Sequence, residues 1–218
     1  MLTLFSGFDI MARELKDYPQ VVLKAPDLDE IVDFKKIFGR TNPLHIEIGS
    51  GRGTFIVSES KAFPQNDYLG IEWTSKCYRY AVDRLGRWNI ANARLLRTEA
   101  LFFLAHNIPP ACADCLHIYF PDPWPKKKHN RRRFFSTQNL PLLLRCLKPY
   151  GTIKFVTDHS DYFAQAQLAA DTASGLLEQI DFTPAAGARE GEFAGTNYER
   201  KYLAENRPIY HIALRKLN

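Results

Sequence analysis

The chain has 218 residues, 45% hydrophobic and 24% charged, the make-up of one ordinary globular domain and too short for a two-domain enzyme. No apolar run approaches the ~20 residues needed to cross a bilayer, so membrane-spanning, collagenous and wholly disordered classes are excluded. Net charge is +5, and the octapeptide Lys126 to Arg133 (KKKHNRRR) alone carries six cations, so the basicity is local.

At the start, Asp9, Arg13 and Glu14 interrupt the apolar stretch that an export signal requires. Residues 1–43 show no core pattern and read as a helical or irregular arm before a single domain over 44–218. The cysteines, Cys77, Cys112, Cys115 and Cys146, are too scattered for a disulfide framework, and a reducing cytoplasm is expected. Cys112 and Cys115 have redox spacing without a second pair, and the histidines lack ligand spacing, so no metal is expected.

From residue 44 onward, short β-rich runs alternate with helical patterns, as in a parallel sheet covered by helices on both faces. Strands are predicted at Leu44–Ile48, Tyr68–Glu72, Ala93–Arg97, Cys115–Phe120 and Thr152–Thr157, with a closing strand at Tyr210–Arg215. Tyr78, Ala81, Val82, Leu85 and Trp88 form a 3.6-period stripe, a helix that Thr74 or Ser75 can cap. Leu140, Leu143, Leu144 and Leu147 form another, stopped by Lys148-Pro149-Tyr150-Gly151. Residues 161–180 read as a helix, and Thr183–Gly195, rich in Gly and Ala, as a long loop.

The first strand runs into Gly49-Ser50-Gly51-Arg52-Gly53, a turn that lets a ligand approach the backbone at the carboxyl end of the strand. The third glycine of a dinucleotide fingerprint is absent, because its position is Thr54. Glu47, beside the turn, would repel a pyrophosphate and attract a cation. S-adenosylmethionine fits, with its sulfonium, its ammonium and no phosphate. Glu72, 23 residues after Gly49 at the end of the second strand, is placed to accept from ribose hydroxyls. Glu99, after the third strand, is placed for an adenine amino group.

The fourth strand ends in Phe120-Pro121-Asp122-Pro123-Trp124-Pro125, where three prolines forbid helix and hold Asp122 at the sheet edge. The basic octapeptide follows at once, in mid-domain rather than in a tail, and reads as a clamp for phosphates. Thr157-Asp158-His159 and Thr196-Asn197-Tyr198-Glu199 add two more carboxylates with neighbouring donors.

These segments together resemble the tRNA (guanine-N7-)-methyltransferases of the bacterial TrmB type. The resemblance rests on Glu47-Ile48-Gly49-x-Gly51-x-Gly53, Leu69-Gly70-Ile71-Glu72, Phe120-Pro121-Asp122-Pro123-Trp124 with its basic sequel, Thr157-Asp158, and Thr196-x-x-Glu199. It implies a class I methyltransferase fold, Rossmann-like, with a mostly parallel seven-stranded sheet. It implies S-adenosylmethionine as donor and N7 of guanosine 46 in the tRNA variable loop as acceptor. By position, Glu47, Gly49, Gly51, Gly53, Glu72, Glu99 and Asp122 would hold the donor, Asp122 also being catalytic. Lys126, Asp158, Thr196, Asn197, Tyr198 and Glu199 would contact the substrate, with Asp158 or Glu199 reading the guanine edge. Lys127, Lys128, Arg131, Arg132 and Arg133 would meet the tRNA backbone. Where the family commonly has Asp, this chain has Glu99. The alternatives are methylation of another RNA base, and an RNA-binding module that keeps the fold without the reaction.

Overall fold

The computed structural model describes residues 14–218. Its elements are β1 (Val22–Leu23), α1 (Phe34–Phe38), β2 (Leu44–Ile48), α2 (Thr54–Ala62), β3 (Asp67–Ile71), α3 (Ser75–Arg87), β4 (Ala93–Leu96), α4 (Ala100–His106) and β5 (Ala113–Tyr119), followed by α5 (Leu140–Cys146), β6 (Leu147–Thr157), α6 (Ser160–Thr172), β7 (Leu177–Ile180), α7 (Asn197–Ala204) and β8 (Tyr210–Lys216). The strands form one sheet in the order β1-β4-β3-β2-β5-β6-β8-β7. All neighbours are parallel except β8, which runs antiparallel to β6 and β7.

Alternation along the central strands divides the core between the two faces. Ile46, Leu116, Ile118, Ile153 and Phe155 pack against Phe103 and Leu104 of α4, Leu140 and Leu143 of α5, and Tyr162 and Ala166 of α6. On the other side, Tyr68 and Leu95 meet Ile56 and Val57 of α2 and Ala81, Val82 and Leu85 of α3. This layered α/β arrangement leaves the carboxyl ends of β2, β3, β4 and β5 at one edge, where loops are free to carry chemistry.

The predicted strands lie within two residues of the observed ones, apart from the start of β6. That strand begins at Leu147, directly after α5, and carries Lys148-Pro149-Tyr150-Gly151 inside it. An irregularity in the pairing with β5, at Ala113 and Cys115, absorbs the extra residues, and Tyr150 sits at φ 63°. A bulge is where a sheet tolerates proline. The segment 161–180 is not one helix: α6 stops at Thr172 and Leu177–Ile180 pairs with β8. Ser174 and Gly175 break the helix, and pairing with β8 outweighs the weak helical pattern beyond them. An eighth strand, β1, joins the edge at β4; two residues carry too little periodicity to be read in advance. Val21 and Val32, from the stretch expected to be an arm, are buried in the two core faces. The Tyr18 ring occupies the space over Gly86, where a Cβ would collide with it at 1.9 Å.

Candidate active site

The turn after β2 is built on backbone that side chains rarely allow. Gly49, Gly51 and Gly53 have φ of 74°, 54° and 72°. The N–H groups of Gly49 and Ser50 both donate to the Ile71 carbonyl, which ties the turn to the end of β3. A Cβ on Gly53 would press on Ala81 of α3 at 3.0 Å, so this glycine also sets how closely α2 approaches α3. Glu72 lies behind the turn and is buried; its carboxylate accepts from Gly51 N–H at 2.8 Å and Thr74 N–H at 2.7 Å. It braces the turn, and its remaining lone pairs stay available to a hydroxyl.

Glu47 faces a cleft of about 290 Å³ lined by the glycine turn, Phe55, Cys77, Tyr119, Thr196, Asn197, Tyr198 and Lys201. Its side chain is 5% exposed, and one of its carboxylate oxygens, Oε2, has no hydrogen-bond partner. Burial, reinforced by the negative charges of Glu72 and Glu59, pushes its pKa up to about 8. A buried carboxylate oxygen without a partner is costly unless a ligand supplies one, and a cation is a ligand that would. The chemistry of S-adenosylmethionine therefore fits this cleft through its ammonium and sulfonium.

The far wall of the cleft is the start of α7. Thr196 caps the helix, its Oγ1 accepting from Glu199 N–H at 3.1 Å. Thr196, Asn197 and Tyr198 border the cleft, with Tyr198 facing Gly51. Glu199 does not. It is 0% exposed, and its carboxylate accepts from the N–H groups of Phe193, Ala194 and Gly195 at 2.6, 3.0 and 2.7 Å. The Thr196-x-x-Glu199 motif is thus a variant of a capping box, and Glu199, expected at the substrate, here holds the preceding loop. Arg200 secures the same loop through a two-pronged pair with Glu192, and Glu59 accepts from Ala186 N–H.

Beyond β5 the chain enters the proline loop through two non-glycine residues in left-handed conformation, Phe120 at φ 48° and Trp124 at φ 44°. Such backbone persists only where the surroundings enforce it. Arg133 supplies the enforcement. It is 1% exposed, its Nε donates to the Pro123 carbonyl at 2.7 Å, and its Nη1 donates to Asp161 O and to Gln165 Oε1 of α6. The Tyr162 ring lies 5.0 Å from its guanidinium. Arg133, expected at the tRNA backbone, is thus turned inward, its Nε and Nη1 donating to protein oxygens. The rest of the run, Lys126, Lys127, Lys128, Arg131 and Arg132, is exposed, on a short 3-10 turn over Lys127–Arg132. Arg132 stacks over Trp124 at 4.9 Å. Asp122 is exposed at the tip of the loop.

Asp158, at the end of β6, keeps a 16% exposed side chain and pairs with Arg207 at 2.9 Å. Arg207 also lies over the Tyr202 ring and pairs with Glu205. Nothing in the sequence marked Arg207, which reaches Asp158 across 49 residues. Glu99 caps α4, its oxygens accepting from Leu101 and Phe102 N–H, and stays exposed outside the lining of the cleft.

Spacing along the chain also concealed a column of polar groups on one face of β2 and β5. His45 and His117 are bonded at 3.0 Å, and His117 bonds the Tyr119 hydroxyl at 2.9 Å. His45, Cys115 and His117 bring ligand atoms within 4.8 Å of one another. Burial lowers the His45 pKa to about 4, holds His117 well below its ordinary value and raises the Cys115 thiol to about 11. Both rings are therefore neutral, and each has a partner within the column.

A family model described as a putative methyltransferase matches residues 41–212. A tRNA (guanine-N(7)-)-methyltransferase of Rhodopirellula baltica is 36% identical over 201 residues, covering 89% of this chain and 74% of that protein. The protein of the same name from Listeria innocua is 33% identical, with 91% of each chain covered. Among solved structures, a 30S ribosomal A1408 methyltransferase from an uncultured bacterium superposes with a TM-score of 0.57 at 16% identity, covering 86% of this chain and 96% of that one, a likeness of fold.

Proposed function

The chain belongs to the tRNA (guanine-N7-)-methyltransferase family, and on that premise we propose that it methylates N7 of guanosine 46 in the tRNA variable loop. S-adenosylmethionine, when bound, supplies an activated methyl group on a sulfonium. Glu47 and the glycine turn hold the donor, with Glu72 accepting from ribose. The observation that carries this reading is the buried Glu47 carboxylate in the lining of the cleft, whose Oε2 has no hydrogen-bond partner.

Guanine N7 presents an exposed lone pair in the major groove, so it attacks without first losing a proton and needs no strong base. What the protein provides is alignment, worth up to ~7–11 kcal/mol in well-oriented systems, and a carboxylate near the purine as it gains positive charge. Asp122, held by the proline loop, takes that role. Asp158 is favoured over Glu199 as the reader of the guanine N1–H and N2–H₂ edge, because only Asp158 has a carboxylate within reach of solvent. Lys126 and the exposed cations beside it hold the variable loop open. Glu99 is left with a weaker claim on adenine, since its carboxylate already caps α4.

No described helix is long and apolar enough to cross a membrane, and the four cysteines are free thiols, which suits a cytoplasmic enzyme of tRNA. Nucleoside mass analysis of tRNA incubated with protein and donor tests the reaction. 7-Methylguanosine is expected with a wild-type transcript and none with a transcript carrying adenosine at position 46. A different modified base, or no methylation by folded protein, would overturn it.

A further inference from the structure

A second cationic surface lies on the opposite side of the cleft from the basic run. α2 presents Thr54, Val57, Ser58 and Lys61 along one helical stripe, and α3 presents Arg84 and Arg87 along another, with Trp88 directly after it; together they enclose an open groove of about 490 Å³. The groove begins at the cleft, because Thr54 lines both, and at 1.5 Å per residue it extends about 10 Å to Lys61. We propose that this groove binds the sugar-phosphate backbone of the same tRNA, as an anchoring surface separate from the basic run. The inference rests on the proposed function and names a further part of the molecule that the substrate touches.

The charge balance is what assigns the groove to a polyanion. Arg84 is half-buried and donates to Thr54 Oγ1 at 2.6 Å, and Arg87 and Arg52 add like charge near it. Asp83, the carboxylate whose charge acts on Arg84, is buried and accepts from the Arg87 guanidinium and from Lys16 N–H. Glu59 of α2 points away and accepts from Ala186 N–H. Lys61 Nζ rests 3.5 Å above the Trp88 ring, and Trp88 is 55% exposed. Cations beside hydroxyls and an exposed indole are the means by which proteins follow a nucleic-acid backbone without reading its sequence. The basic run sits over α6, on the face that carries α4 and α5, whereas α2 and α3 cover the other face. An RNA whose target base enters the cleft between them therefore meets cations on both sides.

Equilibrium binding of a tRNA transcript to the full-length protein, measured across salt concentration, tests this. Lys61→Glu combined with Arg84→Gln is expected to weaken binding about tenfold and to make the slope of log K against log salt shallower by about 1.5, from two lost contacts at 0.7–0.9 each. In the wild-type protein, tRNA is expected to protect Lys61 from an amine-acylating reagent, a readout that needs no variant and so does not depend on one folding. Unchanged affinity and slope in the variant, or Lys61 labelled equally with and without tRNA, would overturn the groove while 7-methylguanosine formation by the wild type left the family reaction standing. Absence of both binding and methylation in the wild type would overturn both.

Discussion

The donor side and the substrate side of the cleft are built on opposite principles. Around the glycine turn, shape comes from backbone that only glycine adopts readily; Glu72 is buried against the N–H groups of Gly51 and Thr74, and Glu47 is buried with Oε2 unpartnered. Around the proline loop and the end of β6, the groups assigned to substrate reach solvent: Asp122 at a loop tip and the five cations of the basic run are exposed, and Asp158 is partly exposed and paired with Arg207. A small cationic donor of constant shape rewards a rigid, desolvated pocket. A large polyanion needs a surface it can approach from solvent, where contacts form and exchange quickly.

The comparison is sharpened most strongly at Asp122. Asp122→Ala is expected to lower kcat/KM for methyl transfer by about 10²–10³-fold, the usual loss when one group stabilising developing charge is removed. Melting temperature should stay near wild type; a variant with near-normal turnover would remove Asp122 from the mechanism.

The next effect separates two carboxylates that look alike in the sequence. Asp158→Asn should cost about tenfold to a hundredfold in kcat/KM with tRNA, as for loss of a base-edge contact of ~1–3 kcal/mol, without destabilising the fold. Glu199→Gln should do the reverse in emphasis. It weakens three bonds to backbone N–H groups in a fully buried site and lowers stability by about 2–4 kcal/mol, read as a fall in thermal midpoint. Donor and tRNA affinities measured at low temperature would then change less than the midpoint implies.

The remaining effect is a pH dependence confined to the donor side. The Glu47 pKa is raised from 4.5 to about 8 in the folded, donor-free protein. A carboxyl so raised contributes stability that is complete below about 4.5 and is lost as pH rises toward 8, because the unfolded chain ionises first. A cationic donor favours the ionised form, so donor affinity should tighten between pH 6 and 8, by up to about tenfold per unit, with release of a proton. Glu47→Gln should flatten both profiles; calorimetry in buffers of different ionisation enthalpy would show whether the proton is released.

Local signals were the legible ones. The alternation of strands and helices, the glycine turn with Glu47 and the rigid proline loop each announce themselves within a few consecutive residues, where backbone sterics and hydrophobic period act directly. Tertiary structure decided whatever depends on which groups become neighbours. Arg133 reads as one more cation of an exposed run until the turn over Lys127–Arg132 directs it inward to Pro123 O and Gln165, and Glu199 reads as a site carboxylate until three N–H groups of its own loop surround it. Arg207 on Asp158, the His45–His117 pair and the groove between α2 and α3 have no signature along the chain. Charge and residue type are written in the sequence, but burial and pairing decide whether a charge serves the fold or faces a ligand, and those exist only once distant segments have packed together.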